Sequence, residues 1–256
     1  MMTKIKLLLS LLITFISISC LANDRISICI DNRDWYPFSY HEKGQAKGIF
    51  IELTKAALKH SNMEADFLVM PMKRCINVLA RQGKIDAVIG LPFDLALNDK
   101  LHYPEDAIQE TSRWRLMQVD FNLVTPKNSL YDFSGKLNTI PQPIRIPKAY
   151  LNIIKKIQMA NIPVEISQQD ESSFYKLIRD NTGSLITSSI MAVRQDENEK
   201  FKDKFIVHPH PIASLSFFLA FFETPATNPE LHKKVWMNIE YLRNDYVFML
   251  QLLSEY

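Results

Sequence analysis

The sequence lacks most of the signatures that mark a catalyst. It has no Gly-x-Ser-x-Gly elbow, no His-Glu-x-x-His metal motif and no Gly-rich phosphate loop, so no common hydrolytic or phosphoryl-transfer chemistry is announced. Its three cysteines form no redox Cys-x-x-Cys. His208 and His210 are the one close histidine pair, and a metal centre needs three or four ligands. A loop is the expected setting for them, and no metal or other cofactor is expected. Charge of one sign is also missing: 30 basic and 28 acidic residues leave a formal +2, which argues against nucleic acid or an anionic membrane surface as partner. No low-complexity tract or short repeat interrupts the chain. Long apolar runs are scarce. Leu7–Ile18 is shorter than the roughly 20 residues a spanning helix needs, and Phe217–Phe222 has the length of a buried strand.

What is present begins at the N-terminus. Lys4 and Lys6 precede the Leu7–Ile18 run, and the small-residue end Ser19-Cys20-Leu21-Ala22 follows. This is the layout of a secretory signal, so residues 1–22 are set aside from the fold. Cleavage after Ala22 gives a soluble periplasmic chain from Asn23 and is the favoured form. Lipidation at Cys20 is the alternative, on a weak lipobox, Ser17-Ile18-Ser19. With both signal lysines gone the basic and acidic residues balance. Cys29 and Cys75 remain. In an oxidising compartment a lone pair is usually bridged; two buried free thiols are the other reading.

The mature chain alternates strand and helix. Ile26–Ile30 reads as a strand, Asp31–Gly48 as a polar, turn-rich stretch, and Phe50, Leu53 and Ala57 as one face of a helix. Ala65–Met70 is a second strand, stopped by Pro71. Lys73–Gln82 is a helix with Gly83 as its C-terminal cap, and Ile85–Ile89 a third strand. Residues 92–115 are loop-like, and Leu116–Val124 reads as a crossing strand. A second α/β block follows, with helices at Ala149–Ala160, Ser172–Arg179 and Ser188–Arg194 around strands at Val164–Ile166 and Leu185–Thr187. Leu215–Phe222 is strand again, and Pro229 opens helical segments to Tyr256. The expected fold is α/β with two lobes, each a mainly parallel sheet flanked by helices, joined by two crossing segments. The lobes are residues 24–117 plus 215–256, and 118–214. Ligands of open α/β sheets sit beyond the carboxyl ends of the strands, here between the lobes.

Four segments stand in a telling order: Asp34-Trp35-Tyr36-Pro37-Phe38-Ser39-Tyr40, Lys47-Gly48-Ile49-Phe50-Ile51-Glu52-Leu53, Pro71-Met72-Lys73-Arg74-Cys75 and Gly83-Lys84-Ile85-Asp86-Ala87-Val88-Ile89-Gly90. Together they resemble the first lobe of family 3 extracellular solute-binding proteins, which have the type II periplasmic binding fold. The likeness spans residues 26–90 and is topological after Leu116. It implies hinge closure on a small polar solute, amino acid-like or an organic acid, a monomer, and an inner-membrane ABC permease or a sensor as reader of the closed form. The subgroup with a Cys in the first strand and a Pro-aromatic-Lys-Arg-Cys helix start is nearest, and it implies a Cys29–Cys75 bridge. One departure stands out. Members that bind amino acids place an Arg after the third strand for the ligand carboxylate and an Asp in the second lobe for its ammonium. Here Leu91–Leu97 holds no Arg, and the nearest second-lobe equivalents are Ser188 and Ser189.

The candidate ligand-binding residues follow. Trp35 and Tyr36, with Phe38, offer an aromatic wall, and Asp34 a carboxylate for a ligand cation. Arg74 opens a helix and offers a fork to a carboxylate. Arg113, with Arg115 as its neighbour, is a candidate for the missing Arg. Asp94 stands at the cleft edge, and Ser188 and Ser189 are second-lobe donors. Each has an ordinary structural alternative: loop packing, an ion pair or a solvated turn. Glu52 and Asp86 read as structural. The expected activity is binding without catalysis. Two alternatives are kept: a cyclohexadienyl dehydratase-like enzyme using Asp94 or Asp34 as general acid, and a ligand-less interaction module on the same fold.

Overall fold

A computed structural model of the chain describes residues 24–223 and 228–256. The signal segment and Cys20 lie outside the described residues. The first half opens with β1 (Asp24–Asp31), whose inward side chains Ile26, Ile28 and Ile30 are buried. A short hairpin, β2 (Tyr40–Glu42) and β3 (Gln45–Lys47), lies within the stretch expected to be polar and turn-rich. At its end Gly48 takes φ 121°, and a Cβ there would lie 2.4 Å from the Phe38 carbonyl oxygen, so only glycine lets the chain turn into α1 (Ile49–Lys59). α1 buries Phe50, Leu53, Ala57 and Leu58. Glu52 bonds Lys55 on its outer face, as a structural residue would. β4 (Met63–Met70) follows, then α2 (Met72–Arg74), which continues as a π-helical turn through Cys75–Leu79. The helix expected over Lys73–Gln82 is therefore shorter and wider than an α-helix. β5 (Ala87–Pro92) lies beside β1, and the Asp86 carboxylate before it accepts from the Ser27 amide at 2.8 Å. β1 is parallel to both β4 and β5.

After β6 (Leu101–His102), the chain crosses in β7 (Met117–Pro126). The second half holds β8 (Ile144–Pro147), α3 (Leu151–Met159), β9 (Val164–Ser167), α4 (Asp170–Asp180), β10 (Ser184–Ser188) and α5 (Ser189–Glu197). β8 lies in a stretch that its prolines mark as non-strand. Pro143 and Pro147 flank or end it, where a missing N–H interrupts little pairing. The chain returns in β11 (Phe205–Phe222) and closes with α6 (Pro229–Asn244) and α7 (Tyr246–Leu253).

β11 is 18 residues long, more than twice the strand expected over Leu215–Phe222, and with β7 it is one of the two crossing segments. Its first part pairs antiparallel with β7, and its last part with β5. The two sheets are thereby joined in one curled sheet of nine strands, ordered β4-β1-β5-β11-β7-β10-β8-β9 with β6 against β11. The main hydrophobic cluster also runs through both halves, from Ile28 and Phe50 through Phe121 to Ile144 and Ile153. His208 and His210 lie within β11, not in a loop. Irregular pairing there between Val207 and Ala213 accommodates the two prolines. His208 is buried, its Nε2 3.0 Å from the Thr125 hydroxyl and its Nδ1 accepting from the Phe133 amide at 3.3 Å.

A second buried histidine gives the fold a pH dependence. The His232 ring of α6 stacks on Phe221 at 3.8 Å, with its Nδ1 2.9 Å from His102 Nδ1. Burial first, and the adjoining His102 second, push it down from 6.5 to about 4. Its neutral form belongs to the fold, so its stability contribution is complete above pH 6.5 and is lost as pH falls towards 4. Urea unfolding at decreasing pH is expected to show a falling midpoint across this window, steepest at about 1.4 kcal/mol per pH unit from this group. In His232→Phe, which keeps a stacking ring, that slope is expected to flatten. An unchanged slope would refute the assignment.

Candidate functional site

A cavity of about 430 Å³ opens where the halves meet. Its walls come from the carboxyl ends of strands. β1 leads to Asp31, Arg33, Trp35 and Ser39, β4 to Pro71, Met72 and Lys73, β5 to Gly90, Leu91, Pro92 and Asp94, and β8 to Ala149–Ile153 and Lys155. Phe121 of β7 and Leu215 and Phe217 of β11 form the floor. This is the crevice position expected of an open α/β sheet, and it needs both halves to exist.

The floor is aromatic. Trp35 stacks with Phe121 at 6.1 Å and tilts against Phe217 at 4.8 Å; Tyr150 meets Trp35 at 5.9 Å and Phe121 at 5.1 Å, both edge-on. Phe121, Tyr150 and Phe217 are buried, while Trp35 keeps partial exposure. The Trp35 Nε1 has no hydrogen-bond partner among the described residues. Tyr150 is held from below. Its hydroxyl donates to Asp170 Oδ1 at 2.7 Å, and Thr187 donates to the same oxygen at 2.6 Å. Burial first, and the Asp170 carboxylate second, push the Tyr150 phenol well above its usual range, so it stays a protonated donor. Burial likewise raises Asp170. With its hydroxyl engaged by Asp170, Tyr150 offers the cavity its ring. Asp170→Ala is expected to leave two buried hydroxyls poorly partnered and to cost about 2 kcal/mol in a urea titration. No change in midpoint would contradict this role.

The charges are unequal in freedom. Asp31 is engaged by Arg33 through its Nε at 3.0 Å and through a second, shorter contact. Asp94 caps the 3₁₀ turn Leu95–Leu97, accepting from the Ala96 amide at 3.0 Å. Lys73, in α2, and Lys155, on α3, are exposed and have no ion-pair partner among the described residues.

Of the residues singled out from sequence, the structure brings Trp35 and Asp94 to the cavity. The others go elsewhere. Asp34 accepts from the His41 amide at 3.0 Å in the hairpin. Tyr36, in the turn between Trp35 and Ser39, packs on the second-half cluster of Phe174 and Met191. Its hydroxyl donates to the Tyr256 carbonyl at 2.6 Å, and the Arg194 guanidinium lies 3.7 Å from its ring centre. It joins the halves without lining the cavity. Arg74 is exposed and outside the lining, one helical position past Lys73. Arg113 lies over Trp114 at 4.4 Å, and both Arg113 and Arg115 offer their carbonyls to Arg243 of α6. Ser188 caps α5 by accepting from the Met191 amide, and Ser189 donates to Asn122 at 2.8 Å. These serines serve the helix and the crossing strand. Lys73, Tyr150, Lys155, Phe121 and Phe217 went unremarked in the sequence as site residues. The position of Tyr150, directly after β8, is the one signal that strand-end reasoning offers for them.

Cys29 and Cys75 are bonded, tying β1 to the π turn behind Lys73.

No family model and no curated protein matches the sequence. Solved structures do match the fold. A histidine kinase sensor domain with similarity to periplasmic binding proteins shares 11% identity at TM-score 0.65, covering 91% of this chain and 96% of that one. An ancestral arginine-binding protein bound to arginine shares 16% at TM-score 0.61, covering 90% and 97%. An ancestral amino acid-binding protein, a precursor of cyclohexadienyl dehydratase, shares 17% at TM-score 0.61, covering 90% and 94%. The fold is that of the type II periplasmic binding proteins.

Proposed function

We propose that this chain is an exported solute-binding protein, a monomer in the periplasm that closes on a small polar ligand. In this reading residues 24–117 with 215–256 form one lobe and residues 118–214 the other. β7 and β11 are the hinge passages, and an inner-membrane ABC permease or a sensor reads the closed form. The observation that carries it is the cavity, walled by strand ends of both halves and floored by the crossing strands. A ligand held by both walls favours the closed arrangement by its differential affinity for it. The neighbours named above fit this reading, since two are binding proteins for amino acids and one is a sensor domain.

The neighbour that is a precursor of cyclohexadienyl dehydratase keeps an enzymatic reading in view. Asp34 bonds the His41 amide and is outside the lining, and Asp31 is engaged by Arg33, so Asp94 is the lining carboxylate such chemistry would use. Both readings meet one experiment. The chain from Asn23 is mixed with amino acids, peptides, polyamines and organic acids while its Tm is followed. The binding reading expects one class to raise Tm in a concentration-dependent way without being consumed. Turnover would move the assignment to an enzyme, and silence from every class would move it to an interaction module.

A further inference from the structure

We infer that the ligand of this cavity is an organic carboxylate with an aromatic or apolar body and no ammonium group. The inference rests on the solute-binding reading and gives that site its substrate class.

The argument is a comparison of what each lining group still has to offer. Arg33 and Asp31 answer each other. The Tyr150 hydroxyl is committed to Asp170. Asp94 holds a turn through one of its oxygens. The cationic groups left without an ion pair are the ammonium of Lys73 from the first half and that of Lys155 from the second, and the neutral polar residues Asn32, Ser39 and Asn152 also line the cavity. Both lysines donate and carry positive charge. They face one carboxylate already partly used. An anion placed here meets donors from both walls, and charge-assisted bonds are the stronger ones. An ammonium placed here meets two like charges. The aromatic floor attracts cations weakly, but the lysines oppose it directly.

The floor sets the rest of the ligand. Trp35, Phe121, Tyr150 and Phe217 present rings, with Met72 and Leu97 beside them on the first-half wall. Such a surface takes a flat or greasy body. An α-amino acid therefore brings an ammonium that meets two lysines and only the partly used Asp94, in line with Ser188 and Ser189 standing where an ammonium-binding Asp was looked for.

The test uses probes with one body and different charges, titrated calorimetrically into the chain from Asn23: phenylacetate, phenethylamine and L-phenylalanine, with L-arginine as a cationic amino acid. Phenylacetate is expected to bind at least about ten-fold more tightly than any of the other three. Lys73→Gln and Lys155→Gln are expected each to weaken phenylacetate about ten-fold and to leave the free protein's Tm unchanged, because both side chains are exposed. Tighter binding of the amine, of L-phenylalanine or of L-arginine would overturn the carboxylate assignment and leave the solute-binding reading standing. Full-strength phenylacetate binding by both lysine variants would do the same. Failure of every probe, together with a silent ligand panel, would overturn both.

Discussion

Replacing Cys29 and Cys75 together by serine is expected to cost about 4 kcal/mol of stability, the larger of the two strongest effects anticipated for this fold. The bridge closes a loop across a sequence separation of 46, and chain-entropy arithmetic for that length gives this figure. Both residues are fully buried in a cluster with Met72, Ile76, Val88 and Phe218, so the hydroxyls also enter an apolar setting. The same bond holds the central strand β1 to the turn that follows Lys73, and its loss frees one wall of the cavity. Urea unfolding of the double variant beside the oxidised parent measures it. A difference below about 1 kcal/mol would show that the bridge does not constrain the unfolded chain.

Trp35→Ala is expected to cost about 3 kcal/mol and to abolish the ligand response. The Trp35 ring touches Phe38 and Phe50 in the first half, Tyr150 in the second, and Phe121 and Phe217 of the crossing strands. Truncation removes the contact surface that the two halves share. Because one side of the ring faces the cavity, the cost sits at the lower end for a large aromatic. Tyr36→Phe is the matched control. It removes one hydroxyl, the donor to the Tyr256 carbonyl, and leaves the cavity lining intact. Its expected cost is about 1 kcal/mol, with ligand affinity unchanged. Equal losses of binding in the two variants would contradict the placement of Trp35 inside the site and Tyr36 outside it.

The contrast between these neighbours shows what was legible. The strand-helix-strand order of the first half, the crossing at Leu116–Val124 and the return at Leu215–Phe222 follow from periodicity, and the structure has all of them. The Asp34–Tyr40 stretch was recognisable as a wall of something, but which of two adjacent rings faces the cavity depends on a bridge between Trp35 and Ser39 that no local pattern encodes. Arg74 and Lys73 differ by one helical step, which puts them on different sides of α2, and only Lys73 lines the cavity. Ser188 and Ser189 read as ligand donors or as a helix start, and the structure has Ser188 capping α5. Asp170 and Tyr150 lie 20 residues apart, and their hydrogen bond exists only because β8, β9 and β10 are neighbours. The union of both halves in one sheet depends on the length of β11, whose proline-containing start masks its strand character.

Hydrogen exchange with and without the best-binding carboxylate tests the central claim most directly, because it reports on both walls at once. Protection is expected to rise together in residues 31–39, 89–94 and 149–155, the strand ends that meet around the cavity. Protection confined to one half, or appearing on a face remote from Trp35 and Tyr150, would contradict a ligand held between the two.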